Sequence, residues 1–392
     1  MYFTLLKVQS CMKLIRSIIS AVSAVILLTG APLLGIYLAG QETTKFLEFP
    51  PLTTSLTKEH APFSWSAFYL LITVILLIIA PFIIKIFTTR QAVKSAVNQK
   101  LRFPVWGWGG LLIMAAGWVL AWARFPWFSQ LQTHTFTIPW IGYIILINGI
   151  IYKRTGRSLI THQPLYLAGL FLFSAVFWWY FEFLNQFVQN WYYVNVEALG
   201  RMEFFLYATL PFATVLPAVI STFRLLKTFP GLSRGLDHFM SVPVNRPKTA
   251  AIIWSLVAAG ALSFTPLLYD YLFPVLWLSP LVIIASAMII ADVPTFLRNI
   301  TKGNWTTVYL LAISALICGF FWEMWNYYSY TRWEYSVPLV HSFKVFEMPV
   351  LGYAGYLPFG VQCGLMGCLV RSMLKTNRSS HAGAHPFAET EC

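Results

Sequence analysis

The chain has 392 residues, of which 58% are hydrophobic, 17% aromatic and only 10% charged, and its mean hydropathy is +0.65. A soluble domain carries roughly 25% charged residues, so this composition excludes a soluble enzyme, a disordered chain, a coiled coil and a disulfide-built secreted module. A polytopic membrane protein remains, and the excess of 27 basic over 14 acidic residues, a net +13, then belongs in loops beside a membrane rather than on nucleic acid.

A spanning helix needs about 20 mostly apolar residues. Ten runs approach that length: 17–39, 66–88, 105–123, 137–152, 164–184, 204–223, 249–269, 275–296, 307–327 and 350–370. The first follows Lys7, Lys13 and Arg16. It is longer than the apolar core of a signal peptide and reads as an uncleaved helix. With the N-terminus in the cytoplasm, 21 of the 27 basic residues fall on cytoplasmic segments. Only Lys45, Lys58, Arg124, Arg201, Arg332 and Lys344 fall outside. That asymmetry puts both termini in the cytoplasm of a multi-pass protein, with a bacterial inner membrane as the expected setting. The polar tail from Thr376 is expected to be disordered.

Two segments resemble each other. Phe181-Glu182-Phe183-Leu184-Asn185 and Trp322-Glu323-Met324-Trp325-Asn326 place a glutamate and an asparagine 141 residues apart from their counterparts. The same offset relates Pro139 to Pro280 and Arg157 to Arg298. Trp191-x-Tyr193 matches Trp333-x-Tyr335 at 142, and Leu210-Pro211-Phe212 matches Leu357-Pro358-Phe359 at 147. Arg224 and Arg371 keep that last offset. Ordered landmarks with slowly drifting spacing indicate duplication. The expected architecture is all-α, a transmembrane bundle of about ten helices with two parallel four-helix repeats after two extra helices. The boundaries are 1–104 for the N-terminal pair with its outer loop, 105–228 and 247–375 for the repeats, 229–246 for a cytoplasmic linker and 376–392 for the tail. Four being even, the repeats share an orientation about an axis along the membrane normal.

Ionisable groups inside a membrane cost roughly 2.5–3.5 kcal/mol at a helix centre and so mark candidate sites. In each Glu-x-x-Asn the amide shares a helical face with the carboxylate. Glu182, Asn185, Glu323 and Asn326 are therefore candidate catalytic groups, converging between the repeats near the outer surface. Glu203 and Glu347 are added because they are expected to open the following helices, where a carboxylate also complements the helix dipole. Trp179, Trp191, Tyr193, Trp322, Trp333 and Tyr335 are candidate substrate-binding residues; an interfacial aromatic belt is the competing explanation. Pro211 and Pro358 are expected to kink or break their helices. The prolines of the segment from Phe49 to Trp65 suggest an ordered cover.

No metal site is expected, since the histidines, including His60 and His341, form no tight ligand motif. The five cysteines contain no CxxC. Walker, GxSxG, HExxH and Rossmann signatures are absent, and no cofactor is specified. The expected partners are the bilayer and a lipid, isoprenoid or amphipathic small molecule, without nucleic acid. Three functions fit: an enzyme acting on a lipid-soluble or lipid-linked substrate, a proton-coupled secondary transporter or permease, and a non-catalytic lipid-binding or scaffold subunit.

Overall fold

The computed structural model describes residues 2–90 and 101–376, with side chains described for 15–90 and 101–374. The expected tail beyond Thr376 lies outside the described residues. Long apolar stretches, interrupted by Gly, Pro and basic clusters, fold as helices because a backbone without water must bond to itself. In chain order these are α1 (Tyr2–Leu38), α2 (Trp65–Thr88), α3 (Val105–Trp122), α4 (Thr137–Thr155), α5 (Leu159–His162), α6 (Pro164–Val188), α7 (Arg201–Phe212), α8 (Val215–Lys227), α9 (Pro247–Phe264), α10 (Tyr269–Leu272), α11 (Val275–Ile290), α12 (Thr306–Tyr327) and α13 (Tyr356–Thr376). The chain is an all-α polytopic membrane bundle.

Each of the ten apolar runs contains a helix, but the lengths correct the count. Among the described residues eight spans are long and apolar enough to cross a membrane, α7 with α8 counting as one of them. A ninth exists only if Pro126–His134 and Thr137–Thr155, bent by 70°, form one span. Helix α11, at 16 residues, falls short. It stops before Asp292, whose carboxylate holds Arg16 at 2.8 Å and Lys248 at 2.6 Å. Those two hydrogen bonds keep Asp292 below the usual carboxylate range.

Helices α3 and α4 form one close hairpin, α9 and α11 another. In the first hairpin a Cβ on Gly142 would collide with the Met114 backbone, so only glycine permits this approach. Helix α4 packs on α8, and α11 packs on α13. Across the middle, α12 packs on α8 while α6 packs on α13. Helix α1 leans on α9 and α11. Helix α2 is peripheral, and Phe68 is its one buried residue. It rests on the second half through Phe68–Phe343 at 5.4 Å and Phe82–Trp305 at 5.5 Å.

Pro211 ends α7, and the chain restarts at Val215. The break is spliced by a buried serine. Ser174 Oγ donates to the Phe212 carbonyl at 2.6 Å and accepts from the Leu216 amide at 3.0 Å, which satisfies groups a proline break leaves open. Pro358 behaves differently from expectation. It lies in the first turn of α13, where no backbone N–H is needed, and kinks nothing. The irregularity precedes it, as a 3-10 stretch over Val350–Gly355.

Two short antiparallel strands cap one end of the bundle. Strand β1 (Trp191–Val194) follows α6 and β2 (Arg332–Tyr335) follows α12. They pair with Trp191 opposite Tyr335 and Tyr193 opposite Trp333. A smaller hairpin, β3 (Lys344–Val345) with β4 (Met348–Pro349), precedes α13. The segment between α1 and α2 lies over this strand end. The Thr53 carbonyl accepts from the Tyr193 amide at 2.7 Å, and His60 bridges Ser336 Oγ and the Val188 carbonyl. At the opposite end Arg224 and Arg371 both turn inward, donating to Gln163 Oε1 at 2.8 and 3.5 Å and lying over the Tyr166 ring.

Candidate functional site

The asparagines set the geometry of the strand end. Asn185 Nδ2 donates to the Trp191 carbonyl at 2.7 Å, and the Trp191 amide donates back to Asn185 Oδ1 at 3.3 Å. Asn326 does the same with Trp333, at 2.7 and 2.9 Å. Each amide side chain thus acts as a short strand partner for the residue that begins the return from its helix. Both are fully buried. Because strand side chains alternate, fixing Trp191 and Trp333 sends Trp191, Tyr193, Trp333 and Tyr335 to one face. That face looks into the bundle.

Beneath it lies a cavity of about 80 Å³, walled by both halves. The first half contributes Trp178, Trp191 and Tyr193; the second contributes Trp322, Trp333 and Tyr335. Five of the six candidate binding residues therefore line it. Trp179 does not. Its indole donates to Thr209 Oγ1 at 2.9 Å and its ring packs on Phe205 and Phe212. The wall also includes Trp277, Tyr207 and Tyr356, and its one charged member is Arg332. Arg332 is held by Glu334 at 2.6 Å.

The two glutamates stand behind this wall, bonded to the residues that form it. Glu182 is 2% exposed and accepts from the Trp178 indole at 3.0 Å, the Tyr193 hydroxyl at 2.6 Å, and the Trp191 indole at 3.2 and 3.3 Å to its two oxygens. Glu323 is 0% exposed and accepts from Tyr335 at 2.8 Å and Tyr356 at 2.7 Å, both on Oε1. Its Oε2 meets no hydrogen-bond partner among the described residues. The second-half tryptophan explains part of the difference, because Trp333 Nε1 donates to the Tyr335 hydroxyl at 2.9 Å. Burial, then the adjoining carboxylate, raises the hydroxyls of Tyr193 and Tyr335 well above the ordinary tyrosine value, so both stay protonated donors.

The remaining candidates lie elsewhere. Glu203 sits in the first turn of α7 as expected, but it is exposed and is not in the cavity wall. Glu347 does not open a helix. It lies in the turn between β3 and β4, where Phe346 takes a positive φ of 56°, and it meets Lys344 at 3.4 Å. A tight hairpin displaces the helix start by about two turns. His341 accepts from the Val337 amide at 3.3 Å. Among the described residues no group of three His, Cys, Asp or Glu could hold a metal ion.

Sequence reasoning missed Tyr356. The signal was a hole. Position 319, which corresponds to Trp178 by the 141-residue offset, is glycine. A Cβ there would strike the Tyr356 ring. The missing indole is replaced by a hydroxyl arriving from the next helix. The chain matches no known protein family, no curated protein and no solved structure.

Proposed function

We propose that this integral membrane protein carries a pseudo-symmetric, outward-facing carboxylate/amide/aromatic site, built by internal duplication, and acts there as an enzyme on a lipid-soluble or lipid-linked substrate. The observation that carries the reading is the aromatic cavity between the halves, joined through Tyr335 and Tyr356 to a buried carboxylate with one oxygen unpaired. Large apolar pockets with a few convergent polar groups are the usual form of small-molecule sites. The matched Asn185/Trp191 and Asn326/Trp333 couplings, with the antiparallel pairing of β1 and β2, support duplication.

The roles follow from hydrogen-bond capacity. Glu323 is the acid/base group. A proton leaving the substrate reaches it through the hydroxyl of Tyr335 or Tyr356, which line the cavity, and returns the same way. Glu182 accepts on both oxygens and is a positioning residue for Trp191 and Tyr193. Asn185 and Asn326 hold the strands that roof the cavity. The basic-residue asymmetry supports placing the strand end outside and both termini in the cytoplasm, in a bacterial inner membrane.

The test is incubation of the purified protein with a total lipid and isoprenoid extract, followed by mass spectrometry. The expected result is conversion of at least one species by the native protein and its loss in Glu323→Gln. Equal conversion by Glu323→Gln would reject the acid/base role. One observation favours a permease instead. A second, much smaller cavity of about 10 Å³ lies between the same central helices, lined by Tyr166, Ile220 and Gly367. Substrate flux in proteoliposomes, with no chemical change in the substrate, would decide for that reading.

A further inference from the structure

The buried carboxyl groups near the cavity have no cationic partner among the described residues. Among the described residues, Glu182 and Glu323 are the fully buried carboxylates, and the hydrogen-bond partners of both are neutral indoles and phenols. Among the described residues the one buried cation, Arg371, is at the opposite end with Gln163. Arg332, the charged residue in the wall, already faces Glu334. A carboxylate withdrawn from water needs an opposite charge or a full set of donors. Glu182 has the donors; Glu323 lacks them on Oε2.

The wall supplies the second half of the argument. Trp178, Trp191, Trp277, Trp322 and Trp333 put five indoles around one space. Their faces are negative in electrostatic potential and attract a desolvated cation, tryptophan most strongly of the aromatic residues. An aromatic enclosure backed by an unbalanced carboxylate is complementary to an organic ammonium group. It is poorly suited to a phosphate or sulfate, which would meet π faces and like charge.

We propose that the cavity recognises an amphipathic ammonium compound, its cationic head among the tryptophans and nearest Glu323, its apolar part along the rest of the wall. This rests on the reading of the cavity as the substrate site.

The experiment uses the full-length protein in a non-ionic maltoside detergent, with saturable quenching of tryptophan fluorescence as the readout. Three probes share one chain: hexyltrimethylammonium, hexanol and hexyl sulfate. The expected order is ammonium tightest, by about tenfold or more over the alcohol, with the sulfate weakest. Glu323→Gln keeps a carbonyl oxygen for Tyr335 and Tyr356. It should lower ammonium affinity about tenfold and leave hexanol unchanged. Should that variant not fold, the three-probe comparison on the native protein still decides. Equal affinity for ammonium and alcohol overturns the cationic class and leaves the cavity as a site for neutral lipid-soluble molecules. Absence of saturable binding by all three overturns both this inference and the reading on which it rests.

Discussion

Glu182 and Glu323 occupy corresponding places in the two halves, yet they are satisfied differently. Around Glu182 three side chains close in from its own helix and its own strand, and both oxygens are used. Around Glu323 the tryptophan at i−4 is replaced by Gly319, the strand tryptophan turns to Tyr335, and Oε2 is left over. One carboxylate has donors on both oxygens, and the other has an oxygen without a partner among the described residues. A carboxylate accepts up to about four hydrogen bonds, so the difference lies in the neighbours rather than in the acid. If the halves arose by duplication, the functional divergence lies in a few aromatic positions.

The largest effect should separate the glutamates by stability. Glu182→Ala strands two indoles and a phenol, each worth about 1–3 kcal/mol when buried without an acceptor. Its thermal midpoint in detergent should fall furthest, and clearly more than that of Glu323→Ala, which strands two phenols. A reversed order would break the contrast between the two carboxylates. The amide substitutions sharpen the same contrast. Glu323→Gln can present its oxygen to both tyrosines and its NH2 where Oε2 stood, so it should unfold near the native midpoint. Glu182→Gln must turn an NH2 toward donors and should lose stability.

Next in size are the asparagines. Asn185→Ala and Asn326→Ala each unpair a buried backbone N–H and C=O, for about 1–3 kcal/mol per group. Comparable losses in chemical unfolding would mark the two turns as equivalent, and loss in one alone would mark the other turn as dispensable. Gly319→Ala should cost about 1–3 kcal/mol through overpacking against Tyr356. It should also weaken probe binding, because the Tyr356 hydroxyl is driven away from Glu323. At Trp178, the corresponding position in the first half, a mutation should act on stability through Glu182.

The smallest effect is in pH. Burial, then the charge of Lys344, lowers His341 below its ordinary value, so the fold favours the neutral ring. A group depressed in this way contributes its full stability above its unfolded value of about 6.5. The contribution is lost as pH falls toward the folded value. Between about pH 7 and pH 5 the thermal midpoint of the native protein should fall relative to that of His341→Asn.

The helices were legible because continuous apolar length is a strong signal in a chain that must satisfy its own backbone. Glu182, Asn185, Glu323 and Asn326 were legible because polar groups stand out against such runs, and the 141-residue offset tied them into pairs. The partners were harder. Tyr356 reaches Glu323 across 33 positions in the sequence, and only the glycine facing it records that a ring arrives there. Glu347 was misplaced because Phe346-Glu347 reads equally well as the start of a helix or the tip of a hairpin. Pro358 was misread because a proline marks a kink inside a helix and a start at its first turn, and the 3-10 stretch before it obscured which applied. Trp179, adjacent to the wall residue Trp178, points to Thr209 because consecutive helical positions diverge by about 100°.

The central claim is that a lipid-soluble molecule enters the space between the halves. The most direct test is photo-crosslinking of the membrane-embedded protein with a diazirine-bearing amphiphile, followed by peptide mapping. The account predicts label on the peptides carrying Trp322–Tyr335 and Gly352–Tyr356, strongly reduced when Met348→Trp fills the cavity. Label confined to the lipid-exposed faces of α1 and α2, and indifferent to Met348→Trp, would contradict it.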